Sequence, residues 1–339
     1  MSLTSVSGVA IRGVSAVVPK SVLANDQIGE LANQSYVRNL SDMVGVVERR
    51  IVQEDEFSSD LGAEAVRLLL TRLQWDPSSI DLLVVATQTP DRLFPGVSFE
   101  IHRDLKLPST CTVFDINLGC SAFTHGIWII STLLRGLGKR AILVNVDTMS
   151  RTIAPSDLGN QVLFGDAGTA TAFEIDDAAS PIYAITMSDG KGTESVCLPN
   201  SGMSVNLKTP SHFVINGPAV LGLALRTVPK LIEALLIHAK IEKQSIGMVV
   251  PHQANLFILD KLIDRLSLQP HKVVIGMKNF GNTSSASIPL AICGSENQVN
   301  SLERELSLLI GFGTGFSLSA VIADFRSTIF CGVVNLSER

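Results

Sequence analysis

The sequence predicts an α/β fold made of two similar halves. Continuous apolar segments such as residues 80–87 and 141–146 alternate with helical segments of ten or more residues, and such strands are typical of parallel sheets that are buried on both faces. After a strand-like and then Gly/Ser-rich connection over residues 180–211, a second series of strands and helices follows in the same order. This repetition indicates a duplicated unit, with halves at residues 1–179 and 180–339.

The elements of the first half are predicted from their apolar patterns. Apolar, β-branched runs indicate strands at residues 9–18, 80–87, 111–117, 141–146 and 169–173. Helical periodicity predicts a helix over residues 59–73, with Ser59 or Asp60 as its N-cap. Further helices are expected to end at residue 105 and to cover residues 120–137, with a short capped helix at residues 26–31 and a strand or turn at residues 46–51.

The second half is predicted in the same way. Helices are expected at residues 218–238 and 256–266 and from residue 284, and strands at residues 246–250, 272–276 and 306–310. Overlaying the halves aligns residues 80–87 with 246–250, the segment around Cys120 with 273–287, and 141–146 with 306–310. Residues 326–339 follow without a predicted role.

Composition, cysteine spacing and charge exclude several classes of protein. Hydrophobic residues make up 46% of the 339 residues and charged residues 17%, so we expect a large core and an extensive subunit interface. No apolar segment is long enough to span a membrane, and the first residues lack the pattern of a signal peptide. We therefore expect a cytoplasmic protein with no membrane partner.

The five cysteines are irregularly spaced and include no Cys-x-x-Cys pair, which argues against a disulfide framework and against a zinc site. No other group of metal ligands is present, so no metal is predicted. The net charge of −5 and the lack of basic clusters interleaved with aromatic residues argue against nucleic acid as a partner.

Cys120 lies where the strand at residues 111–117 turns into a helix. A thiol at a helix start is close to unpaired backbone N–H groups and to the positive end of the helix dipole, which lower a thiol pKa. We therefore predict that Cys120 is a nucleophile with a lowered pKa. The alternative is that Cys120 is a small buried hydrophobic residue.

Three other features follow predicted strands. His252 comes directly after residues 246–250, Asn282 follows residues 272–276, and a glycine-rich loop at residues 311–315 follows residues 306–310. Taken singly, each has a structural interpretation as a hydrogen-bonded histidine, an N-cap or a turn. Because parallel strands end at one edge of a sheet, all three features can converge with Cys120 on a single site.

The sequence motifs around these residues resemble those of one known family. They are Gly-Cys-Ser-Ala-Phe at residues 119–123, Leu-Phe-Gly-Asp at 163–166, Ile-Asn-Gly at 215–217, Pro-His-Gln-Ala-Asn at 251–255, Gly-Asn-Thr-Ser-Ser-Ala-Ser-Ile-Pro at 281–289 and Phe-Gly-Thr-Gly-Phe at 312–316. Over roughly residues 8–325 the chain resembles the 3-oxoacyl-[acyl-carrier-protein] synthase III (β-ketoacyl synthase III) branch of the thiolase-like condensing enzymes. The resemblance implies a thiolase-like five-layer αβαβα fold of two duplicated halves, a homodimer, and a catalytic triad of Cys120, His252 and Asn282.

The third triad residue distinguishes relatives. Elongating condensing enzymes carry a second histidine where this chain has Asn282, and biosynthetic thiolases carry a second cysteine in the loop that here has Thr314. The resemblance therefore favours an initiating or specialised synthase over a thiolase.

The resemblance also implies the reaction. Cys120 accepts an acyl group from acyl-CoA or an acyl-[acyl-carrier protein], with the backbone N–H groups of Cys120 and Thr314 as the oxyanion hole. A malonyl thioester, expected to be malonyl-[acyl-carrier protein], then loses CO2 while neutral His252 and Asn282 stabilise its enolate, and the carbanion attacks the acyl group. No cofactor is needed. Phe94 is implied to shape the acyl pocket of the neighbouring subunit.

The chain departs from the family at the donor-binding positions. The stacking and charged residues that clamp coenzyme A or engage the carrier are replaced by Asn39, Met43, Leu158 and Phe257, which predicts weak priming by acyl-CoA. A carrier-binding rim is predicted instead at Arg226, Lys230, Lys261 and Arg265, with a solvated helix face as the alternative. Acyl transfer without decarboxylation, to a hydroxyl or amine, and a non-catalytic partner subunit are the alternative functions, and acyl length and pathway stay open.

Overall fold

Apolar strands and amphipathic helices alternate along the chain, as predicted. The computed structural model describes residues 1–28, 34–205 and 211–337. Its strands are β1 (Ser2–Val6), β2 (Val9–Val18), β3 (Val22–Ala24), β4 (Glu48–Arg50), β5 (Leu82–Ala86), β6 (Thr112–Ile116), β7 (Arg140–Thr148), β8 (Asp166–Ile175), β9 (Ile182–Ser188), β10 (Val196–Cys197), β11 (Val214–Ile215), β12 (Met248–Pro251), β13 (Ser307–Gly313), β14 (Ser317–Ala323) and β15 (Ile329–Asn335). Its helices are α1 (Gln34–Val44), α2 (Ser58–Leu73), α3 (Val97–Asp104), α4 (Ala122–Leu137), α5 (Leu158–Gln161), α6 (Gly217–Ala239), α7 (Leu256–Leu266), α8 (Ser287–Gly294) and α9 (Glu296–Ser301).

The two main sheets have equivalent strand orders. The first is β15-β2-β8-β7-β5-β6 and the second is β1-β9-β14-β13-β12. In the first sheet β5 is parallel to both β6 and β7, and in the second β12 is parallel to β13 and has a parallel bridge from Val249 to Val273. The order β2-β8-β7-β5-β6 is thus repeated by β9-β14-β13-β12 and Val273. This confirms the duplicated α/β fold, while the exact boundary at residues 179 and 180 stays a prediction.

The helices and sheets form five layers. Helices α2 and α3 pack on the outer face of the first sheet, α4 and α8 lie between the sheets, and α6 packs with α7 outside the second sheet. In the middle layer, Phe123, Ile127 and Ile288 are fully buried. Among the described helices, none is both long enough and apolar enough to cross a membrane. In both sheets, the C-terminal ends of the parallel strands lie near the turn before α4.

The predicted strand at residues 272–276 is wrong. Only Val273 forms a β-bridge there, and a short 3-10 turn precedes it. The side chain of Gln253 takes the positions that a further strand would occupy, since its Nε2 donates to the carbonyl of Val274 at 3.3 Å and its Oε1 accepts the N–H of Gly276 at 2.9 Å. A side-chain amide therefore replaces part of the backbone ladder before Asn282.

Three smaller predictions also need correction or completion. The short helix predicted at residues 26–31 is a 3-10 turn at Asn25–Gln27, and residues 29–31 lie outside the described residues. The N-cap of α2 is Phe57, whose N–H donates to the Asp60 carboxylate at 2.8 Å. In the connection predicted at residues 180–211, β9 is an ordered strand, and residues 206–210 lie outside the described residues.

The C-terminal segment completes the first sheet. Strand β15 pairs in parallel with β2, and the hydroxyl of Thr328 donates to the carbonyl of Ile11 at 2.8 Å. This pairing covers one edge of the sheet, which removes a set of unpaired backbone groups from solvent.

Candidate active site

Cys120 lies in the turn between β6 and α4. Ser121 is the residue that precedes the first helical residue, Ala122, so the thiol is placed just outside the helix N-terminus. The end of β13 lies directly against it, because a Cβ added to Gly313 would be 2.6 Å from Cβ and 3.3 Å from Sγ of Cys120. The turn therefore joins the middle helix layer to the second sheet.

The predicted lowering of the Cys120 pKa is wrong. Burial raises the pKa of this thiol to about 12, and the neighbouring Asp147 also raises it. Hydrogen bonding by Ser284 and by the backbone of Cys120 lowers the pKa but does not offset the loss of water. Cys120 is consequently a protonated thiol at neutral pH, and its proton must leave during any nucleophilic attack.

His252 is a buried neutral histidine at the end of β12. Its backbone N–H donates to Ile310 at 2.7 Å, and its ring stands edge-on to Phe312 with 5.4 Å between centroids. Nδ1 lies 2.7 Å from the hydroxyl of Ser287. Because the side chain is removed from water, burial lowers the pKa of His252 to about 3. The neutral imidazole expected from the chemistry is thus the form that this environment favours.

The carboxamide of Asn282 is held in one orientation. Its Oδ1 accepts the N–H of Ser284 at 2.9 Å, and its Nδ2 donates to the carbonyl of Ala254 at 3.2 Å. Nδ2 carries two hydrogens, so one stays free for another acceptor. The backbone of Asn282 is fixed as well, since its N–H donates to the carbonyl of Leu163 at 2.8 Å.

A closed series of contacts brings the three predicted residues together. Cys120 contacts Gly313, whose neighbour Phe312 packs on His252. The backbone N–H of Ala254 donates to the carbonyl of His252 at 2.9 Å, and Ala254 in turn accepts the hydrogen bond from Asn282. Ser284 closes the series, because its N–H donates to Oδ1 of Asn282 and its side chain hydrogen-bonds the Cys120 thiol. The strand ends of both halves therefore meet at one place, as predicted.

Thr314 lies in the turn after Gly313, next to this group. Its hydroxyl donates to Oε1 of Gln88 at 3.3 Å. Within residues 1–28, 34–205 and 211–337, no backbone carbonyl accepts a hydrogen bond from the N–H of Cys120 or of Thr314. The N–H of Thr314 has the free hydrogen that an oxyanion hole needs, whereas the backbone N–H of Cys120 hydrogen-bonds the thiol of the same residue.

The remaining predicted residues lie away from this group. Phe94, in the loop before α3, is 82% exposed. The four basic residues of the predicted carrier-binding rim are exposed on the outer helices, one turn apart in each pair, with Arg226 and Lys230 on α6 and Lys261 and Arg265 on α7. None of them belongs to the contact series around Cys120.

Several residues at the site were not singled out from the sequence. Ser284 and Ser287 lie within the Gly-Asn-Thr-Ser-Ser-Ala-Ser-Ile-Pro motif at residues 281–289, and their spacing from Asn282 is the only signal for them. Asp147 directly follows the strand predicted at residues 141–146, on the same sheet edge as the triad, and this position is the signal that could have found it. Across the described ranges, no group of three or more His, Cys, Asp or Glu side chains is placed to hold a metal ion.

Comparison with known proteins assigns the chain to a family. The model of the 3-oxoacyl-[acyl-carrier-protein (ACP)] synthase III family matches residues 114–190, and that of its C-terminal region matches residues 236–325. The chain is 31% identical to β-ketoacyl-[acyl-carrier-protein] synthase III 2 of Bacillus anthracis, over 93% of this chain and 97% of that protein. It is 30% identical to β-ketoacyl-[acyl-carrier-protein] synthase III of Clostridium perfringens strain SM101, over 92% and 98% of the two chains.

The solved structures agree with these relatives. The crystal structure of a 3-oxoacyl-(acyl-carrier protein) synthase from Burkholderia xenovorans LB400 is 32% identical, covers 98% of this chain and 99% of its own, and superposes with a TM-score of 0.94. Fold, sequence and site motifs thus point to the same assignment. The chain belongs to the 3-oxoacyl-[acyl-carrier-protein] synthase III family of thiolase-fold condensing acyltransferases.

Proposed function

We propose that this protein forms an acyl thioester on Cys120 and condenses it with a malonyl thioester, with His252 and Asn282 as the enolate-binding residues. The observation that carries the proposal is the closed series of contacts that joins a buried neutral histidine and an oriented asparagine to the cysteine turn. An acyl-carrying thiol and two neutral hydrogen-bond donors are the groups that a decarboxylative condensation needs.

The first half of the reaction is a thioester exchange. The Cys120 sulfur attacks the thioester carbonyl, the carbon–sulfur bond to the donor breaks, and the proton of the Cys120 thiol ends on the leaving thiol. Burial raises the pKa of Cys120 to about 12, so the thiol is protonated at neutral pH. Its attack therefore depends on stabilising the negative charge that develops on the carbonyl oxygen. We assign this role to the N–H groups of Cys120 and Thr314, and each such donor contributes about 3 kcal/mol in known oxyanion holes.

The second half uses His252 and Asn282. The malonyl carboxylate leaves as CO2, its bonding electrons form an enolate, and the enolate carbon attacks the acyl carbonyl. The carbon–sulfur bond to Cys120 breaks, and the released thiolate takes up a proton from water to restore the thiol. Nδ1 of His252 lies 2.7 Å from the Ser287 hydroxyl, and we infer that this hydroxyl is the donor, which leaves the ring proton on Nε2, where it can hydrogen-bond the enolate oxygen. The free hydrogen on Nδ2 of Asn282 provides the second donor.

The family relatives act with acyl-carrier-protein substrates, as their names state, and we infer a carrier-bound acyl donor here as well. Met43 is 52% exposed and Phe257 is 44% exposed, and neither can bind the phosphates of coenzyme A. Lys261 lies 5.7 Å from the Phe257 ring centroid, so a cationic group borders this apolar surface. Together with Arg226, Lys230 and Arg265 it would favour an acidic carrier protein.

We further propose a cytoplasmic homodimer. Strand β6 is an edge strand of the first sheet, and the nearby loop and helix expose apolar side chains, with Leu93 65%, Phe94 82% and Phe99 53% accessible. Exposed apolar residues beside a strand edge favour association with a second copy. In such a dimer Phe94 would reach the acyl pocket of the partner.

The reaction is tested by supplying acylated enzyme with isotopically labelled malonyl-[acyl-carrier protein]. The expected result is one CO2 released for each 3-oxoacyl-carrier product, identified by its mass. His252→Ala and Asn282→Ala should lower this condensation about 100-fold while the acylation of Cys120 continues. Transfer of the acyl group to a hydroxyl or amine without CO2 release would contradict the proposal and favour simple acyl transfer, and a lack of any reaction would favour a non-catalytic subunit.

The donor is tested separately by comparing kcat/KM for one acyl group on coenzyme A and on an acyl-carrier protein. The expected result is a preference for the carrier-bound donor that is reduced in Lys261→Ala. Equal rates with both donors would contradict the inference about the donor and leave the condensation mechanism unaffected.

A further inference from the structure

Asp147 is a buried carboxylate at the active-site end of β7 that the reaction above does not use. It is 0% exposed. Its Oδ1 accepts the backbone N–H of Gln88 at 2.7 Å, and its Oδ2 accepts the backbone N–H of Ser285 at 3.1 Å. Over the described parts of the chain, no lysine, arginine or histidine forms an ion pair with it. A buried carboxylate costs free energy unless its oxygens are hydrogen-bonded, so the donors around Asp147 must be held in place.

The hydroxyl donors to Asp147 are also fixed. Thr87 and Thr89 each place a hydroxyl oxygen 3.2 Å from Oδ1. The Thr87 hydroxyl accepts the N–H of Thr89 at 3.1 Å, and the Thr89 hydroxyl accepts the N–H of Thr148 at 2.8 Å. Since each hydroxyl has a backbone donor on its oxygen, its own hydrogen is directed at the carboxylate. The turn over residues 87–89 is therefore built around Asp147.

This turn presents Gln88 to the nucleophile side of the site. The Gln88 carboxamide accepts the hydroxyl of Thr314 and donates to Oδ1 of Asn117, both at 3.3 Å. A Cβ added to Gly119 would lie only 2.3 Å from Oε1 of Gln88, so the residue before Cys120 packs on the same amide. The position of Gln88 thus limits where the Cys120 turn and the Thr314 loop can lie.

The other oxygen of Asp147 holds the asparagine side of the site. Ser285 follows Ser284, whose N–H is the hydrogen-bond donor to Asn282 and whose backbone is left-handed with φ of 50°. A left-handed serine is uncommon and needs fixed neighbours on both sides. The Ser285 N–H bond to Asp147 provides one of them, and Ser284 also hydrogen-bonds the Cys120 thiol.

We propose that Asp147 is a positioning residue that sets the spacing between the acyl-carrying side of the site, through Gln88, and the enolate-binding side, through Ser285 and Asn282. This inference rests on the proposed condensation. One carboxylate hydrogen-bonds both a turn of the first half and a loop of the second half. Its position therefore affects the groups that are used in both half-reactions. Small displacements of such groups are costly, because a shift of about 1 Å can lower a rate about 100-fold.

The test is Asp147→Asn, which keeps the shape and removes one acceptor. In wild type each carboxylate oxygen accepts one backbone N–H. In Asp147→Asn the side-chain NH2 group must therefore face the N–H of either Gln88 or Ser285, and the segment that carries this N–H must move. We expect kcat for condensation to fall about 100-fold, with the KM for the malonyl substrate within about threefold of wild type.

Asp166→Asn is the matched control. Asp166 is equally buried, and its two oxygens accept the N–H groups of Val52 and Ser150, both at 2.9 Å. We expect this variant to lose a comparable amount of stability in denaturant unfolding but to keep kcat within about threefold. A kcat for Asp147→Asn within threefold of wild type, or an equal fall in Asp166→Asn, would overturn the proposal.

Thr89 provides a test that leaves the carboxylate in place, should Asp147→Asn fail to fold. Thr89→Val removes one hydroxyl donor and should lower kcat about tenfold, whereas Thr89→Ser should restore it to near wild type. Equal kcat values for the two variants would overturn the proposal. If wild type itself forms no condensation product, the proposed function fails instead, so the two failures are distinguishable.

Discussion

Gly313→Ala tests whether β13 fixes the position of the nucleophile. A Cβ at residue 313 would lie 2.6 Å from Cβ of Cys120, whereas ordinary contacts begin at 3.4 Å. The difference of about 0.8 Å must be taken up by moving the Cys120 turn or the Thr314 loop. A displacement close to 1 Å at reacting groups costs about 100-fold in rate, or about 3 kcal/mol of activation free energy.

The rate of Cys120 acylation should therefore fall about 100-fold in Gly313→Ala, as followed by rapid quenching and intact-protein mass. Gly136→Ala is the control, because Gly136 is in α4, the helix that follows Cys120, and a Cβ there meets no atom within 4 Å. Denaturant unfolding of both variants separates a local effect from loss of folded protein. Acylation of Gly313→Ala within twofold of the wild-type rate would refute this reasoning.

Three further predictions follow from the protonation states and hydrogen bonds of the site. Because the Cys120 pKa is raised to about 12, the rate of its alkylation by iodoacetamide should rise about tenfold per pH unit from about pH 7 to about pH 9. A plateau of this rate in that range would contradict a thiol whose pKa is raised by burial. Ser287→Ala should lower condensation about tenfold and leave acylation unchanged; an equal loss in both rates would argue against a role through His252. The folded pKa of His252, about 3, lies below its unfolded value of about 6.5. Its contribution to the free energy of unfolding is therefore complete above about pH 6.5 and is lost as the pH falls toward about 3. Between about pH 7 and about pH 5, the free energy of unfolding of wild type should fall by about 2 kcal/mol more than that of His252→Gln, as measured in denaturant titrations. Equal decreases in the two proteins would contradict a buried neutral ring.

The elements that local patterns determine were predicted well from the sequence. The bounds of β2, α4 and α7 follow from apolar periodicity and agree with the structure within one or two residues. The meeting of Cys120, His252 and Asn282 was predicted because each follows a strand predicted from the sequence, and the C-terminal ends of parallel strands lie on one edge of a sheet, although the strand before Asn282 is reduced to a bridge at Val273.

Features that depend on distant side chains could not be predicted in this way. The Cys120 pKa is governed by burial between two sheets rather than by the helix start beside it. At residues 272–276, the side chain of Gln253, about 20 positions earlier, makes the hydrogen bonds that the predicted strand would have made with a neighbouring strand. Partners such as Ser287 for His252, 35 positions apart, and Ser285 for Asp147, 138 positions apart, are set by tertiary packing.

The acylation of Cys120 can be measured from the mass of the intact protein after incubation with a panel of acyl-CoA and acyl-carrier-protein donors. We expect a single acyl adduct that maps to Cys120, that is absent in Cys120→Ala and that is retained in Cys111→Ala, in which a buried thiol is removed. An adduct that persists in Cys120→Ala, or the absence of any adduct on wild type with every donor, would contradict this expectation.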